Sequence, residues 1–214
     1  MPTPTWEQFQ NLIGIAERYN MGTIIRVDKP DRTMVSMAVY VGAQGVYSCD
    51  VRTKEEAETI VEAGRHAERY FYPIDEDFVL IGVQIESVEA MKNLDDILSV
   101  KGLDFVSTGG ADYRISAGIT YKEWLQHSRR GQVDRSRSVH PLLEEYDYKV
   151  MSKAREKGLL MFNPHRPREE WPKLIEEGLC QMFLVVTDRN AFSKACKENL
   201  ESLRNLKENA CKRK

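Results

Sequence analysis

Short apolar runs alternate along the chain with amphipathic stretches, and this alternation predicts strands that are each followed by helices. The longest run, residues 78–86, is almost continuously apolar, as in a strand buried on both faces of a parallel sheet. The predicted strands cover residues 23–27, 45–49, 78–86, 103–107, 159–162 and 180–186. This order indicates an α/β fold with parallel strands and right-handed crossovers.

Helical spacing fills most of the sequence between these strands. The predicted helices cover residues 33–40, 54–67, 87–100, 141–157, 168–177 and 190–208. Ser87 is a suitable N-cap and Pro141 a suitable first-turn residue. Two architectures fit this pattern, a doubly wound sheet and a (β/α)8 barrel that is two units short, and periodicity does not separate them.

One segment, residues 119–139, interrupts the alternation because its apolar periodicity is weak. It carries four arginines, Arg129, Arg130, Arg135 and Arg137. The segment is long for a loop between a strand and a helix. A solvated insertion, a lid and an oligomer arm are all compatible with it.

Composition narrows the class of protein. The 214 residues include 31 Lys and Arg against 33 Asp and Glu, and this balance argues against binding to nucleic acid or an acidic membrane. No apolar run approaches the ~20 residues that span a bilayer, and the N-terminus lacks the pattern of a secretory signal. Four scattered cysteines without a CxxC pair disfavour a zinc cluster or a disulfide framework. We therefore expect a cytoplasmic protein.

Candidate chemistry lies where predicted strands end, since parallel α/β folds bind ligands at the carboxyl ends of their strands. Glu86 and Asp112 follow consecutive strands, so they are expected at one mouth, where two carboxylates suit a hard cation such as Mg²⁺. Arg26 can hold a substrate oxygen, and Gly110 and Ala111 allow close approach of an anion to backbone N–H groups. Purely structural roles stay open: Glu86 and Asp112 as helix-end residues, and Arg26 in an ion pair.

Other common catalytic patterns are missing from the sequence. The histidines His66, His127, His140 and His165 form neither an HxH nor an HExxH motif. There is no GxGxxG, Walker or GxSxG motif, so dinucleotide, P-loop and α/β-hydrolase functions lack support.

A resemblance to a known family is carried by residues 79–118, with the sequence VLIGVQIESVEAMKNLDDILSVKGLDFVSTGGADYRISAG. This run resembles the core of the HpcH/HpaI aldolase and citrate lyase family, with its strand ending in Q-I-E, its E-A-x-x-N-L-x-x-I helix and its later metal-binding Asp. Three further stretches resemble the same family: IIRV, GAQGVYSCDVRTKEEAE and VHPLLEEYDYKVMSKAREKGL. The similarity runs from about Trp6 to the last helix.

The resemblance implies a TIM-barrel-like α/β fold of the phosphoenolpyruvate/pyruvate kind, shortened at its N-terminus to about six strands. We expect a single aldolase-like domain over residues 1–214, with the irregular basic segment 119–139 and the C-terminal helix 190–208. Members of the family are metal-dependent lyases and usually homo-oligomers. The implied cofactor is Mg²⁺ or Mn²⁺, with other divalent metals open, and the implied substrates are pyruvate, or another 2-oxo acid, and an aldehyde.

By position, the resemblance also implies a role for each candidate at the strand ends. The implied residues are the metal ligands Glu86 and Asp112, the catalytic residues Arg26 and Gln84, and the pyruvate-binding residues Gly110 and Ala111.

The chain departs from the family pattern in several places. The first two βα units, which carry the family's catalytic His, have no counterpart, and Tyr40 stands where the family often has an Asp. The family's Pro is replaced within the segment Ser48-Cys49-Asp50-Val51, its Y-P-P-R-G-x-R-G loop is absent, and Tyr113 replaces a Leu. Three explanations fit the lack of the units that carry the His. The sequence is a shortened form of a longer protein, or another subunit or a rearranged terminus covers the open edge, or the protein uses a different general base. His127, His140 and Tyr113 are the candidates for that base.

These observations lead to a ranked set of functions. The first is a divalent-metal-dependent carbon–carbon lyase that cleaves or forms a 4-hydroxy-2-oxo acid through a pyruvate enolate. The second is a non-catalytic member that binds a metal and a keto acid. The third is a CoA-ester lyase, in which the arginines at 129–137 would bind phosphates.

Overall fold

The structure, a computed structural model, describes residues 4–72, 77–127, 140–162, 166, 168–185 and 187–211. Its five strands form one parallel sheet in the order β1-β2-β3-β4-β5. The strands are β1 (Ile24–Val27), β2 (Gly45–Ser48), β3 (Leu80–Ile85), β4 (Phe105–Thr108) and β5 (Leu160–Phe162). Every strand pairs with its neighbour in the sequence, so the order never reverses as it does in a doubly wound sheet. The parallel α/β prediction is confirmed, and of the two predicted architectures the order is that of a barrel.

The helices follow the strands in regular alternation. Those before β5 are α1 (Trp6–Arg18), α2 (Arg32–Tyr40), α3 (Lys54–Glu68), α4 (Val88–Lys92), α5 (Leu94–Ile97), α6 (Gly110–Ser116), α7 (Tyr121–His127) and α8 (Pro141–Glu156). After β5 come a 3₁₀ turn (Arg168–Glu170), α9 (Trp171–Glu176) and α10 (Asp188–Cys211). The chain divides into two compact units, Met1–Met182 and Phe183–Lys214, and α10 lies in the second. None of the described helices has the length and apolar character needed to cross a membrane.

Local sequence explains where the long helices begin. The Thr53 side chain accepts the backbone N–H of Glu56, whose own carboxylate accepts the backbone N–H of Thr53 at 3.1 Å. This reciprocal capping box begins α3 one residue after Thr53. The Asp31 side chain caps α2 by accepting the backbone N–H of Met34. The helices predicted at 54–67 and 33–40 are therefore confirmed to within one residue.

The two faces of the sheet have different characters because successive strand residues alternate between them. One face packs against the helices, and its residues Val46, Ile81, Val83 and Val106 are fully buried. The other face carries Arg26, Tyr47, Gly82 and Phe105, which pair in this order across β1 to β4. The candidate residues at the strand ends continue this second face.

Two predicted elements differ from the structure. Among the described residues, the sixth predicted strand, 180–186, is reduced to a single parallel bridge between Phe162 and Met182. The sheet of described strands is not closed into a barrel. The helix predicted over 87–100 begins after Ser87 as expected, but it is divided at Asn93 into α4 and α5. The Asn93 side chain donates to the carbonyl of Arg52 at 2.8 Å, and this bond ties the break to the loop after β2.

The structure describes the predicted C-terminal helix and part of the predicted irregular segment. Helix α10 contains the predicted helix 190–208 and extends it at both ends. Helix α7 occupies the first part of the irregular segment 119–139, and residues 128–139 lie outside the described residues, so the four arginines there are not placed. That residues 1–214 form a single domain stays a prediction.

Candidate active site

The carboxyl ends of β3 and β4 bring two predicted residues to one cavity. Glu86 directly follows β3, and Asp112 lies in the first turn of α6, just after β4. Because β3 and β4 are parallel neighbours, both residues emerge at the same edge of the sheet. The cavity between them has a volume of about 360 Å³. Its lining consists of Asp50, Arg52, Glu86, Ser87, Glu89, Asp112, Ile115 and Ser116.

Glu86 is held in place by hydrogen bonds to both of its carboxylate oxygens. Its Oε1 accepts the backbone N–H of Asp50 at 2.8 Å, and its Oε2 accepts the side-chain amide of Gln84. Only 8% of Glu86 is exposed. Burial raises the pKa of Glu86, the Asp50 N–H opposes this shift, and the nearby charge of Asp112 adds to it.

Glycine at position 109 makes this arrangement sterically feasible. A Cβ atom at Gly109 would lie 2.6 Å from the Cβ of Glu86 and would also overlap the ends of the Glu86 and Gln84 side chains. Real Cβ atoms do not approach so closely, so any larger residue would displace Glu86. Gly109 therefore lets the start of α6 lie directly against the Glu86 side chain.

The loop after β2 completes the wall of the cavity, and the sequence analysis missed its role. Asp50 adopts a left-handed conformation with φ of 53°, which Asp tolerates better than most residues. Its carboxylate accepts two hydrogen bonds from Arg52, at 2.8 and 3.2 Å. Arg52 also lies 3.6 Å from Glu89. The left-handed turn directs the Asp50 N–H at Glu86, and no sequence motif signals such a turn.

Arg26 and Gln84 lie beside the cavity and are not part of its lining. Burial lowers the pKa of Arg26, but attraction to Cys49, Tyr47 and Glu86 in their ionised forms outweighs it, so the net shift is upward. Gln84 is buried, and its Oε1 lies 3.6 Å from the Cys49 thiol, which donates to it. Arg26 thus interacts with Glu86 through charge, and Gln84 donates a hydrogen bond directly to the Glu86 carboxylate.

Gly110 and Ala111 are the first two residues of α6. The first N–H groups of a helix have no hydrogen-bond partner within the helix. They are therefore able to donate to a substrate carboxylate, which is the contact that the sequence predicts. Whether they bind a substrate stays a prediction.

The candidates for a general base are placed less favourably. The His140 side chain caps α8, where its Nδ1 accepts the backbone N–H of Leu142 at 3.3 Å. Tyr113 stacks on Tyr146 with ring centroids 4.0 Å apart, and burial raises its pKa, which disfavours a role as a base. His127 is the last residue of α7.

The donor set at the cavity fits a cation with few protein ligands. Within the part of the chain that the structure describes, no group of three or more His, Cys, Asp or Glu side chains could enclose a metal ion. Glu86 and Asp112 provide two carboxylates, and their mutual repulsion, visible in the raised pKa of Glu86, would be relieved by a positive charge. Mg²⁺ commonly binds through one or two carboxylates together with water and substrate oxygens.

Comparison with known proteins identifies the family. The sequence model of HpcH/HpaI aldolase/citrate lyase matches residues 8–134, which is more than half of the chain. The chain belongs to this family. The resemblance seen in the sequence is therefore confirmed, and the matched range includes the cavity residues from Asp50 to Ser116.

Named relatives of this HpcH/HpaI family member are aldolases. The 2-keto-3-deoxy-L-rhamnonate aldolases of Salmonella gallinarum (strain 287/91 / NCTC 13346) and Salmonella typhi are 26% identical to it over 183 residues. The alignments cover 76% of this chain and 64% of each relative. The chain thus spans less than two thirds of the length of the curated relatives it matches.

Solved structures show the same fold. Macrophomate synthase superposes with a TM-score of 0.74 and 24% identity, over 95% of this chain and 74% of its own. The HpcH/HpaI aldolase of Desulfitobacterium hafniense DCB-2 superposes with a TM-score of 0.73 and 22% identity, over 94% and 80% of the two chains. At this level of identity the similarity establishes the TIM-barrel-like fold.

Proposed function

We propose that this protein is a divalent-metal-dependent aldolase that cleaves or forms a 4-hydroxy-2-oxo acid through the enolate of pyruvate. The observation that carries the proposal is the pair Glu86 and Asp112, which emerge from neighbouring parallel strands into one cavity. The aldolase names of the Salmonella relatives support the same class of reaction, since their substrate is a 2-keto acid.

Each residue of the site has a proposed task. Glu86 and Asp112 would hold Mg²⁺ or Mn²⁺, and a cation there would supply Lewis-acid polarisation of the 2-oxo group. Gln84 keeps the Glu86 carboxylate oriented by donating to its Oε2. Arg26, which shares the electrostatic environment of Glu86, would stabilise the negative oxygen of the enolate.

The substrate carboxylate is assigned to the start of α6. Gly110 and Ala111 would receive it on backbone N–H groups. The aldehyde would lie beside Ile115 and Ser116, which line the same cavity.

Proton exchange at the methyl group of pyruvate tests this function without knowledge of the aldehyde. The reaction is followed by NMR in D₂O with Mg²⁺ or Mn²⁺, with a chelator, and in the variant Glu86→Gln. We expect exchange that requires the metal and is lost in Glu86→Gln, because enolate formation depends on both.

A matched control separates the site from a general effect of removing a carboxylate. Glu62 is exposed and pairs with Arg32 at 2.8 Å on the helical layer, away from the cavity lining. Glu62→Gln should exchange pyruvate protons as fast as the unchanged protein. Absence of exchange with metal demonstrably bound would reject the aldolase and favour the second candidate, a non-catalytic member that binds metal and keto acid.

The second candidate is motivated by departures from the family pattern within the given sequence, above all Tyr40, which stands where the family often has an Asp. The third, a CoA-ester lyase, depends on arginines that lie outside the described residues and gains no support from the cavity. Assembly as a homo-oligomer and location in the cytoplasm stay predictions.

A further inference from the structure

Tyr146 reaches from α8 to the ends of the two strands that carry the proposed metal ligands. The residue is 2% exposed, and its hydroxyl donates to the backbone carbonyl of Ile85. The same hydroxyl accepts the backbone N–H of Gly109 at 2.9 Å. Ile85 directly precedes Glu86, and Gly109 is the N-cap of the helix that carries Asp112.

This hydroxyl lies where the β3–β4 ladder ends. The last paired residues of the two strands are Ile85 and Thr108. Beyond them, the Gly109 N–H lies 3.1 Å from the Ile85 carbonyl oxygen, so three polar groups meet at one point. A side chain from a third element thereby fixes how the two chain segments separate, one toward Glu86 and the other toward Asp112.

The position of Gly109 bears directly on Glu86. There is no space for a Cβ between Gly109 and the Glu86 side chain, so the backbone at Gly109 is in close contact with that carboxylate. A small displacement of Gly109 would change both the orientation of Glu86 and the start of α6. The hydrogen bond from Gly109 to Tyr146 opposes such a displacement.

Tyr113 stacks against the Tyr146 ring. The two rings are nearly parallel, at 7° with centroids 4.0 Å apart, and Tyr113 is the residue after Asp112. The stack therefore connects Tyr146 to the segment that carries Asp112 a second time, independently of its hydroxyl.

We propose that Tyr146 is a positioning residue for the Glu86–Asp112 pair, which its hydroxyl holds in register through the backbone of Ile85 and Gly109. This inference rests on the proposed metal-dependent function. Residues that orient metal ligands typically change metal affinity by about 10–100-fold when they are replaced.

The test measures binding of Mn²⁺ alone, by calorimetry, to the full chain. Tyr146→Phe removes the hydroxyl and keeps the ring that stacks on Tyr113. We expect about 10-fold weaker Mn²⁺ binding, at the low end of the range for groups that orient ligands. Tyr148→Phe is the matched control, since Tyr148 lies on the same helix and its ring contacts Arg166 at 5.0 Å rather than the strand ends. It should bind Mn²⁺ as the unchanged protein does.

Three outcomes separate the inference from the function on which it rests. If Glu86→Gln loses Mn²⁺ binding and Tyr146→Phe keeps it, the positioning role is rejected and the metal site stands. If the unchanged protein binds no Mn²⁺, both are rejected. If Tyr146→Phe unfolds more easily yet binds with unchanged affinity, Tyr146 serves stability alone and the inference is wrong.

A second measurement on the unchanged protein does not depend on the variant folding. Hydrogen exchange resolved by NMR should show the Gly109 amide protected like amides inside β3, because Tyr146 and Ile85 share its proton. Fast exchange of the Gly109 amide would overturn the inference, since the hydroxyl would then not hold the strand end.

Discussion

Cys49 lies next to the proposed site but lacks the properties of a nucleophile. Burial raises its pKa to about 12; Arg26 opposes this shift, and the charges of Glu86 and Asp28 add to it. A thiol with this pKa is protonated near neutral pH, and the thiol form is unreactive. Cys49 is a buried free thiol, and its Sγ donates to the side-chain oxygen of Gln84.

We therefore expect Cys49 to resist alkylation in the native protein. Iodoacetamide near neutral pH should modify the exposed Cys196 before Cys49 and Cys180. Burial raises the pKa of Cys49 to about 12 and that of Cys180 to about 11, so both should stay unmodified. Peptide mass spectrometry reports the order, and denatured protein supplies the fully reactive reference. Equal rates for Cys49 and Cys196 in the native protein would contradict this account.

At the residue scale, the sequence predicted the part of the site that depends on strand order. Glu86 and Asp112 were found because a βαβ step places consecutive strand ends together. Asp50 and Tyr146 were missed for different reasons. The role of Asp50 depends on a left-handed backbone conformation, and Tyr146 reaches Gly109 from 37 residues further along the chain. Neither relation leaves a periodic signal in the sequence.

At the scale of elements, close packing between β3 and β4 depends on a glycine, Gly82, which has no side chain. Gly82 faces the Phe105 ring on the neighbouring strand, and a Cβ at Gly82 would lie within 2.5 Å of two ring atoms. Phe105 is fully buried and also contacts Tyr47 and Phe162 edge to face. The ring has little freedom to move aside, because three residues of the same face surround it.

Gly82→Ala should therefore destabilise the protein although alanine suits a strand no worse than glycine does. We expect a loss of about 1–3 kcal/mol in the free energy of unfolding, the usual cost of overpacking a core. Urea denaturation measures it. Gly14→Ala is the control, since a Cβ at Gly14 meets nothing within 4 Å and alanine favours a helix by roughly 0.5–1 kcal/mol. Equal stability of the two variants would exclude a steric role for Gly82.

The helix boundaries show which element-scale features a sequence can predict. Starts that depend on a local cap, at Ser87, Asp31 and Thr53, were predicted to within one residue. The break between α4 and α5 was not predicted. At this break the Asn93 side chain donates to the carbonyl of Arg52, 41 residues earlier, and periodicity does not report such a contact. Local chemistry sets where these helices begin, and tertiary contacts decide whether they continue.

At the scale of the whole molecule, the sheet leaves apolar side chains uncovered on the face opposite the helices. Ile24, Leu80 and Leu160 are 39%, 36% and 36% exposed, whereas Val46, Ile81, Val83 and Val106 on the helical face are fully buried. In a closed barrel such residues fill the interior. The apolar runs predicted six strands, and only a bridge at Met182 represents the sixth among the described residues. An apolar run indicates that a segment can be buried. Whether the segment becomes a strand depends on hydrogen bonds to a neighbouring strand, which the run itself does not predict.

The raised pKa of Glu86 links the proposed site to the stability of the whole molecule. Burial is the main cause, followed by repulsion from Asp112, so the folded state holds a proton on Glu86 at pH values where the unfolded chain, near 4.5, has released it. In this window the folded state binds more protons than the unfolded state, and the free energy of unfolding therefore falls as pH rises. Above the folded pKa the penalty is complete and constant.

Glu86→Gln removes this titration, and a series of thermal unfolding curves in metal-free buffer tests it. The melting temperature of Glu86→Gln, taken relative to the unchanged protein, should rise as pH increases from about 4.5 to neutral. Hydrogen bonds that glutamine loses or gains shift the difference in melting temperature by the same amount at every pH. The test therefore depends on how this difference changes with pH and not on its absolute size. If the difference in melting temperature does not change with pH, burial does not raise the pKa of Glu86 and Asp112 does not measurably repel its carboxylate.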